Sequence, residues 1–119
     1  MNDIVRIETR ARYSRAVVHN GMIFVTGQTA DDLSQDIRGQ TRETLAKIEA
    51  ILATTGADKS RLLTSQIWLK NISQDFDGMN EVWDAWTAPG QAPTRATAQC
   101  EMAEPGILVE IVVTAAARR

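Results

Sequence analysis

The sequence is short of the side chains from which metal and disulfide sites are built. It has one cysteine, Cys100, and one histidine, His19, among 119 residues. One cysteine cannot form a disulfide within the chain, and one histidine leaves no His/Cys cluster for zinc. A chain of this length can bury a hydrophobic core of its own. We therefore expect one domain over residues 1–119 that folds without a structural metal or disulfide.

Long apolar runs and an excess of basic charge are also missing. No apolar run approaches the ~20 residues that a membrane helix needs, and residues 1–6 lack the apolar segment of a signal peptide. Lys and Arg total 13 against 15 Asp and Glu, a formal net charge of −2. This balance argues against the clustered basic surface that binds nucleic acid. We therefore expect a cytosolic protein without a nucleic-acid or membrane partner.

The sequence does contain an alternation of strand and helix patterns. A hairpin is predicted over residues 16–26, because Asn20-Gly21 tolerates the positive φ angles of a type I′ turn. Two helices are predicted, one over residues 40–55 and one that follows an N-cap at Ser73 and continues until Pro89-Gly90. Strands are predicted at 63–70, 95–101 and 107–117. The order β-β-α-β-α-β-β predicts an α+β fold, a mixed sheet with both helices on one face.

The last predicted strand contains a single charge. Glu110 is the only charged residue between Ile107 and Ala117. Its neighbours on the same predicted face, Leu108 and Val112, are apolar, so we expect that face to be covered by protein, for example by another subunit. A carboxylate in such a strand either faces water or is buried against a partner, and both alternatives stay open here.

Arg95 is the natural partner of Glu110. It opens the strand before the last one, so the two residues would lie in adjacent strands at one end of the sheet. A guanidinium binds a planar carboxylate through two parallel hydrogen bonds, which suits a structural ion pair and a substrate anchor equally. The residues alone therefore predict an α+β domain with an Arg95–Glu110 site of either kind. Cys100 alternates with two alanines and is expected to be a small buried side chain.

Four segments occur in an order that resembles the RidA (YjgF/YER057c/UK114) family. They are Tyr13-Ser14-Arg15-Ala16-Val17, Phe24-Val25-Thr26-Gly27-Gln28, Pro93-Thr94-Arg95 and Val109-Glu110-Ile111. Residues 40–45 and 79–83 also look like the family's two helices, so the resemblance runs from about residue 10 to 117. It implies a chorismate-mutase-like fold assembled as a homotrimer, with three clefts between subunits.

The resemblance also implies an activity. Members of the family deaminate reactive enamines and imines, such as 2-iminopropanoate and 2-iminobutanoate, to 2-oxo acids and ammonia, without a cofactor or metal. Carried over residue by residue, Arg95 would hold the substrate carboxylate, and Glu110 would orient or activate the water. The resemblance assigns further substrate contacts to Tyr13, Thr26, Gly27, Asn80 and Thr97.

The sequence departs from the family pattern at three places. Thr26 stands where serine is common, Thr97 stands where archetypal members carry cysteine, and Thr29-Ala30-Asp31-Asp32 replaces an apolar residue followed by proline. These differences bear on the substrate range more than on the fold. Two other functions stay open: a non-catalytic trimeric module that binds small carboxylates through Arg95, and an endoribonuclease, which the acidic balance disfavours.

Overall fold

A six-stranded mixed sheet with two helices on one face makes up the computed structural model, which describes residues 3–118. The strands are β1 (Val5–Thr9), β2 (Ser14–His19), β3 (Met22–Gln28), β4 (Leu62–Leu69), β5 (Thr94–Gln99) and β6 (Val109–Ala116), and the helices are α1 (Ile37–Thr54) and α2 (Ile72–Trp86). Their order across the sheet is β1-β2-β3-β6-β4-β5. Only β4 and β5 run parallel, joined by α2 as the crossover that a parallel pair needs. The predicted α+β class with both helices on one face is confirmed.

The β2–β3 hairpin turns at Asn20 and Gly21, as predicted. Their φ angles are 51° and 76°, the left-handed values that a type I′ turn requires. The open end of the hairpin holds Tyr13, which directly precedes β2, and Gly27, which is the last residue but one of β3. Two of the predicted site residues are thus brought to one end of the sheet by a local turn.

Both helices begin earlier than the sequence pattern predicts. Helix α1 begins at Ile37 and not at residue 40, because Asp36 caps it by accepting a hydrogen bond from the Gly39 backbone N–H at 3.0 Å. Helix α2 begins at Ile72, so its N-cap position is Asn71, two residues before the predicted cap Ser73. Within residues 3–118, neither helix is long and apolar enough to cross a membrane.

Two features of the sheet differ from the prediction. Strand β1 was not predicted, because the alternation of Val5 and Ile7 with Arg6 and Glu8 covers only a short segment, in which Ile7 alone is half-buried. Strands β5 and β6 are not neighbours, because β4 lies between them. The placement of Arg95 and Glu110 on adjacent strands was therefore wrong.

Strand β6 lies in the centre of the sheet and separates its two faces. Val109, Ile111, Val113 and Ala115 are buried under the helices, on what we call the helix face. Glu110 and Val112 alternate with them and are half-buried on the opposite, open face. Leu108, predicted to share the face of Glu110, precedes the strand and packs against the core instead. The alternation therefore puts Glu110 on the side of the sheet that has no helices.

Candidate functional site

Strand β3 carries a bulge at Thr26 and Gly27. Val25 pairs with Val113 of β6 and Gln28 pairs with Ile111, so β3 advances by one residue more than β6 between these pairs. Bulges of this kind redirect side chains next to functional sites. This one exposes the backbone of Gly27 to the side chain of Glu110.

The carboxylate of Glu110 occupies the space beside Gly27. An ideal Cβ on residue 27 would lie 3.1 Å from Glu110 Cδ and closer still to its Oε2. Only a residue without a side chain leaves this space free, since a real Cβ does not approach other atoms so closely. Glycine at position 27 therefore leaves room for the carboxylate of Glu110, which a side chain there would displace.

Glu110 has no charged partner of its own. It faces Trp68 across the β4–β6 pairing, and none of the ion pairs among residues 3–118 includes it. Phe24, on the same open face, is 46% exposed. An ionised carboxylate accepts hydrogen bonds through both oxygens, so Glu110 can receive a proton from a bound water.

Four of the predicted site residues belong to this end of the sheet, and we call them the Glu110 group: Tyr13, Thr26, Gly27 and Glu110. Tyr13 lies at the open end of the hairpin and is 49% exposed. Thr26 is half-buried in the bulge itself. The group thus combines a carboxylate, two hydroxyls and an accessible backbone segment.

Arg95 lies on the helix face. It pairs with the buried Ser65 of β4, and its side chain reaches α2. The guanidinium carbon lies 5.7 Å from the ring centroid of Trp83 and 5.9 Å from that of Phe76, both within cation–π range. No carboxylate in residues 3–118 forms an ion pair with it. The structural Arg95–Glu110 ion pair, one of the two predicted alternatives, is not formed within the chain.

Asn80 and Thr97 belong to the same face as Arg95, and we call the three the Arg95 group. Thr97 follows Arg95 by two residues in β5, and its hydroxyl is buried without a hydrogen-bond partner within the described chain. A buried hydroxyl of this kind costs about 1–3 kcal/mol, so it is suited to a partner from a ligand or another copy. Asn80 lies on α2 one turn after Phe76, half-buried.

The two groups do not meet within one chain. Arg95 pairs with Ser65 and Glu110 with Trp68, so they are three residues apart along β4 and on opposite faces of the sheet. Their backbones are roughly 10 Å apart across two strand spacings and roughly 10 Å apart along the strands. The predicted site is therefore split into two half-sites, which lie on opposite faces of the sheet.

Sequence reasoning missed two residues of the Arg95 half-site. The helical spacing of Phe76 and Trp83 predicts that both belong to the core, and Trp83 is indeed 5% exposed, but both rings also lie within cation–π range of the guanidinium. The signal that could have found them is Asn80, a polar residue between two aromatics on one helix face. Cys100, expected to be buried, is exposed just after β5, in a cleft with Lys70 and Glu101.

Asp75 is a buried carboxylate outside both groups. It lies in the first turn of α2, where its Oδ2 has no hydrogen-bond partner among residues 3–118. Burial raises the pKa of Asp75, and the nearby charge of Asp36 raises it further. Its ionised form is therefore disfavoured in the folded protein.

Comparison with known proteins shows to which family the chain belongs. A family model described as endoribonuclease L-PSP matches residues 3–117. The crystal structure of a member of the YjgF protein family from Neisseria meningitidis superposes with a TM-score of 0.94 at 40% sequence identity, covering 98% of this chain and 97% of that one. The chain belongs to the RidA (YjgF) family.

Curated relatives agree with this membership in the RidA family. The RutC family protein YoaB of Escherichia coli strain K12 is 42% identical over 113 residues, which cover 95% of this chain and 97% of the relative. A RutC family protein of Haemophilus ducreyi is 41% identical over 113 residues, covering 95% and 96%. The family resemblance read from the sequence is confirmed, and so is the fold that it implies.

Proposed function

We propose that the chain is a cofactor-independent enamine/imine deaminase, which hydrolyses 2-imino acids such as 2-iminopropanoate and 2-iminobutanoate to 2-oxo acids and ammonia. The observation that supports this best is the guanidinium of Arg95. It rests on two aromatic rings and has no carboxylate partner in the described chain, so its hydrogen-bond donors are available to a substrate carboxylate. The resemblance to the RidA family implies the same class of reaction, whereas the description of the matching family model names the endoribonuclease alternative.

The proposed chemistry needs an anchor, a water and one proton acceptor. Arg95 holds the carboxylate, which fixes the adjacent C=N carbon in place. Water adds to that carbon while Glu110 accepts its proton, and the proton is passed to the nitrogen. The hydroxyl of the resulting carbinolamine then gives its proton, again through Glu110, to the nitrogen as the C–N bond breaks and the C=O bond forms, which releases ammonia and the 2-oxo acid. Atoms and charge balance with one water consumed.

The proposal includes a homotrimer, because two half-sites on opposite faces complete each other only between copies. Each cleft would take Asn80, Arg95 and Thr97 from one copy and the Glu110 group from the next. The open face supports this assembly: Phe24 is exposed there beside the half-buried Val112, an apolar surface typical of an interface. Three copies related head to tail close into a ring with three equal clefts.

A complementation experiment tests the shared cleft. Arg95→Ala is expected to be inactive and Glu110→Gln to lose about 10²- to 10⁴-fold in kcat, both measured as pyruvate released from 2-aminoacrylate generated in situ. Co-expression of both variants with different tags forms mixed trimers, in which some clefts combine an intact Arg95 from one copy with an intact Glu110 from its neighbour. Equal, random mixing restores about one quarter of the wild-type activity per site.

Each outcome of this experiment is informative. If the mixed protein stays inactive while both variants form trimers by light scattering, the two residues do not meet between copies. A wild-type protein that binds 2-oxobutanoate but releases no pyruvate would be a carboxylate-binding module and not a deaminase. Cleavage of single-stranded RNA by metal-free protein without pyruvate release would instead favour the endoribonuclease alternative.

A further inference from the structure

The guanidinium of Arg95 is placed by an aromatic cluster of α2. Trp83 is 5% exposed and Phe76 is 38% exposed, so one ring is fixed in the core and the other lies at the surface. The ring of Trp83 also packs on Trp86, with 5.6 Å between centroids and 43° between planes. Arg95 itself comes from β5, a strand at the edge of the sheet. The guanidinium of Arg95, from an edge strand, thus makes cation–π contacts with rings of α2.

The kind of contact matters for what Arg95 can bind. A carboxylate partner would use the N–H donors of the guanidinium, whereas an aromatic ring attracts the cation without accepting those donors as hydrogen bonds of full strength. An arginine without any contact would lose side-chain entropy each time it bound a ligand. The rings therefore restrict the side chain in advance and leave its donors free.

We propose that Trp83, together with Phe76, is a positioning residue for Arg95: the rings fix the direction of the guanidinium so that it receives a carboxylate without first becoming ordered. The inference deepens the proposed function, because it takes Arg95 as the anchor of the substrate. Trp83 acts through Arg95 and does not itself touch the reacting atoms. Its loss affects KM more than kcat.

The test compares three aromatic substitutions in the same helix. Trp83→Leu is expected to raise KM for 2-iminobutanoate about 3- to 30-fold, the range that one cation–π contact supports, with kcat within about twofold. Trp83→Phe restores much of the loss because it restores a ring. Trp86→Leu is the matched control, since this indole packs on Trp83 but contacts Lys59 and not Arg95. Trp86→Leu is expected to keep KM within about twofold of the wild-type value.

Two further measurements keep the inference testable if Trp83→Leu fails to fold. Phe76→Leu changes a partly exposed ring, and it is expected to raise KM in the same direction. In the NMR spectrum, the Nε–H proton of Arg95 carries a ring-current shift that Trp83→Leu or Phe76→Leu reduces and Trp86→Leu preserves. In an Arg95→Ala background, Trp83→Leu is expected to have no further effect on 2-oxobutanoate binding.

The outcomes separate this inference from the proposed function. Suppose that the wild type is active and that Trp83→Leu and Phe76→Leu have the same KM as the control Trp86→Leu. This result overturns the positioning role and leaves the deaminase proposal intact. A wild type that neither releases pyruvate nor binds 2-oxobutanoate overturns the deaminase proposal. In that case the NMR shift decides the positioning role, which is refuted if the Arg95 resonance is unchanged by loss of either ring.

Discussion

Glu110 covers Gly27, because its carboxylate occupies the volume that a β-carbon on residue 27 would need. One residue comes from β6 and the other from a bulge in β3, so the contact depends on the register of two strands that are far apart in sequence. A glycine in this place positions a carboxylate and is not merely a flexible residue.

Gly27→Ala is expected to displace the Glu110 carboxylate and to reduce kcat about 10²-fold, the usual effect of moving a reacting group by about 1 Å. Thermal unfolding measured in parallel checks that the sheet is kept. The matched control is Gly39→Ala, whose new Cβ would also meet a side-chain oxygen, that of Gln35, at 2.7 Å. Gln35 is outside both half-sites, so turnover by this control is unchanged. Equal turnover by both variants would contradict the role of the Gly27–Glu110 contact.

Glu110→Gln keeps the shape of the side chain and removes the proton acceptor. We expect kcat to fall about 10²- to 10⁴-fold with a weaker effect on KM, as for the loss of a general base. Since Glu110 has no ion-pair partner among residues 3–118, the melting temperature changes little. A variant that melts early and retains near-normal turnover when folded would show that Glu110 is structural.

Arg95→Lys keeps the charge but loses the planar fork. We expect kcat/KM to fall about 10- to 100-fold, the cost of losing one hydrogen bond to a charged group. Lys70, which is exposed outside both half-sites, offers the reciprocal control: Lys70→Arg leaves kcat/KM unchanged. Steady-state kinetics of both variants with the same imine checks the prediction. Full activity of Arg95→Lys would mean that charge alone, and not bidentate geometry, holds the substrate.

The buried carboxyl group of Asp75 is expected to make the stability of the fold depend on pH. Burial raises the pKa of Asp75 in the folded state, so the neutral carboxyl group is the form that the fold favours. Its contribution to the free energy of unfolding is fully present below the ordinary pKa of 3.8 and is lost as the pH rises through the folded-state pKa. Asp75→Asn should therefore raise the melting temperature at pH 7, and the gain should shrink towards pH 4. Asp77→Asn, exposed on the same helix, is the matched control and shows no such trend. A gain that is independent of pH would contradict the burial argument.

Local patterns were sufficient for some parts of this structure and insufficient for others. The Asn20-Gly21 turn and the alternation in β6 depend on residues close in sequence, and both were predicted. The N-cap Asp36 was missed because it lies within a polar stretch where several residues could cap a helix. Strand β1 was missed because its apolar face consists of Val5 and Ile7 alone, too short a pattern to mark a strand.

The split of the site could not be predicted from the sequence. Residue types alone indicated Glu110, since it is the only charge in an apolar strand, and Arg95 as its natural partner; their separate roles came from the family resemblance. Their separation depends on β4 lying between β5 and β6, a strand order that no local pattern encodes. The contacts of Arg95 with Phe76 and Trp83 likewise depend on how α2 crosses the sheet.

The last strand along the chain is central in the sheet, and this has a consequence for synthesis on the ribosome. Strands β1, β2 and β3 pair with one another, and β4 pairs with β5, but only β6 joins the two sets. A nascent chain that ends before Val109 therefore has two separate sheets with unpaired edges, and it cannot close them until β6 has been synthesised. Such long-range closure is slow and leaves strand edges accessible, so the incomplete chain is exposed to edge-to-edge aggregation until β6 pairs.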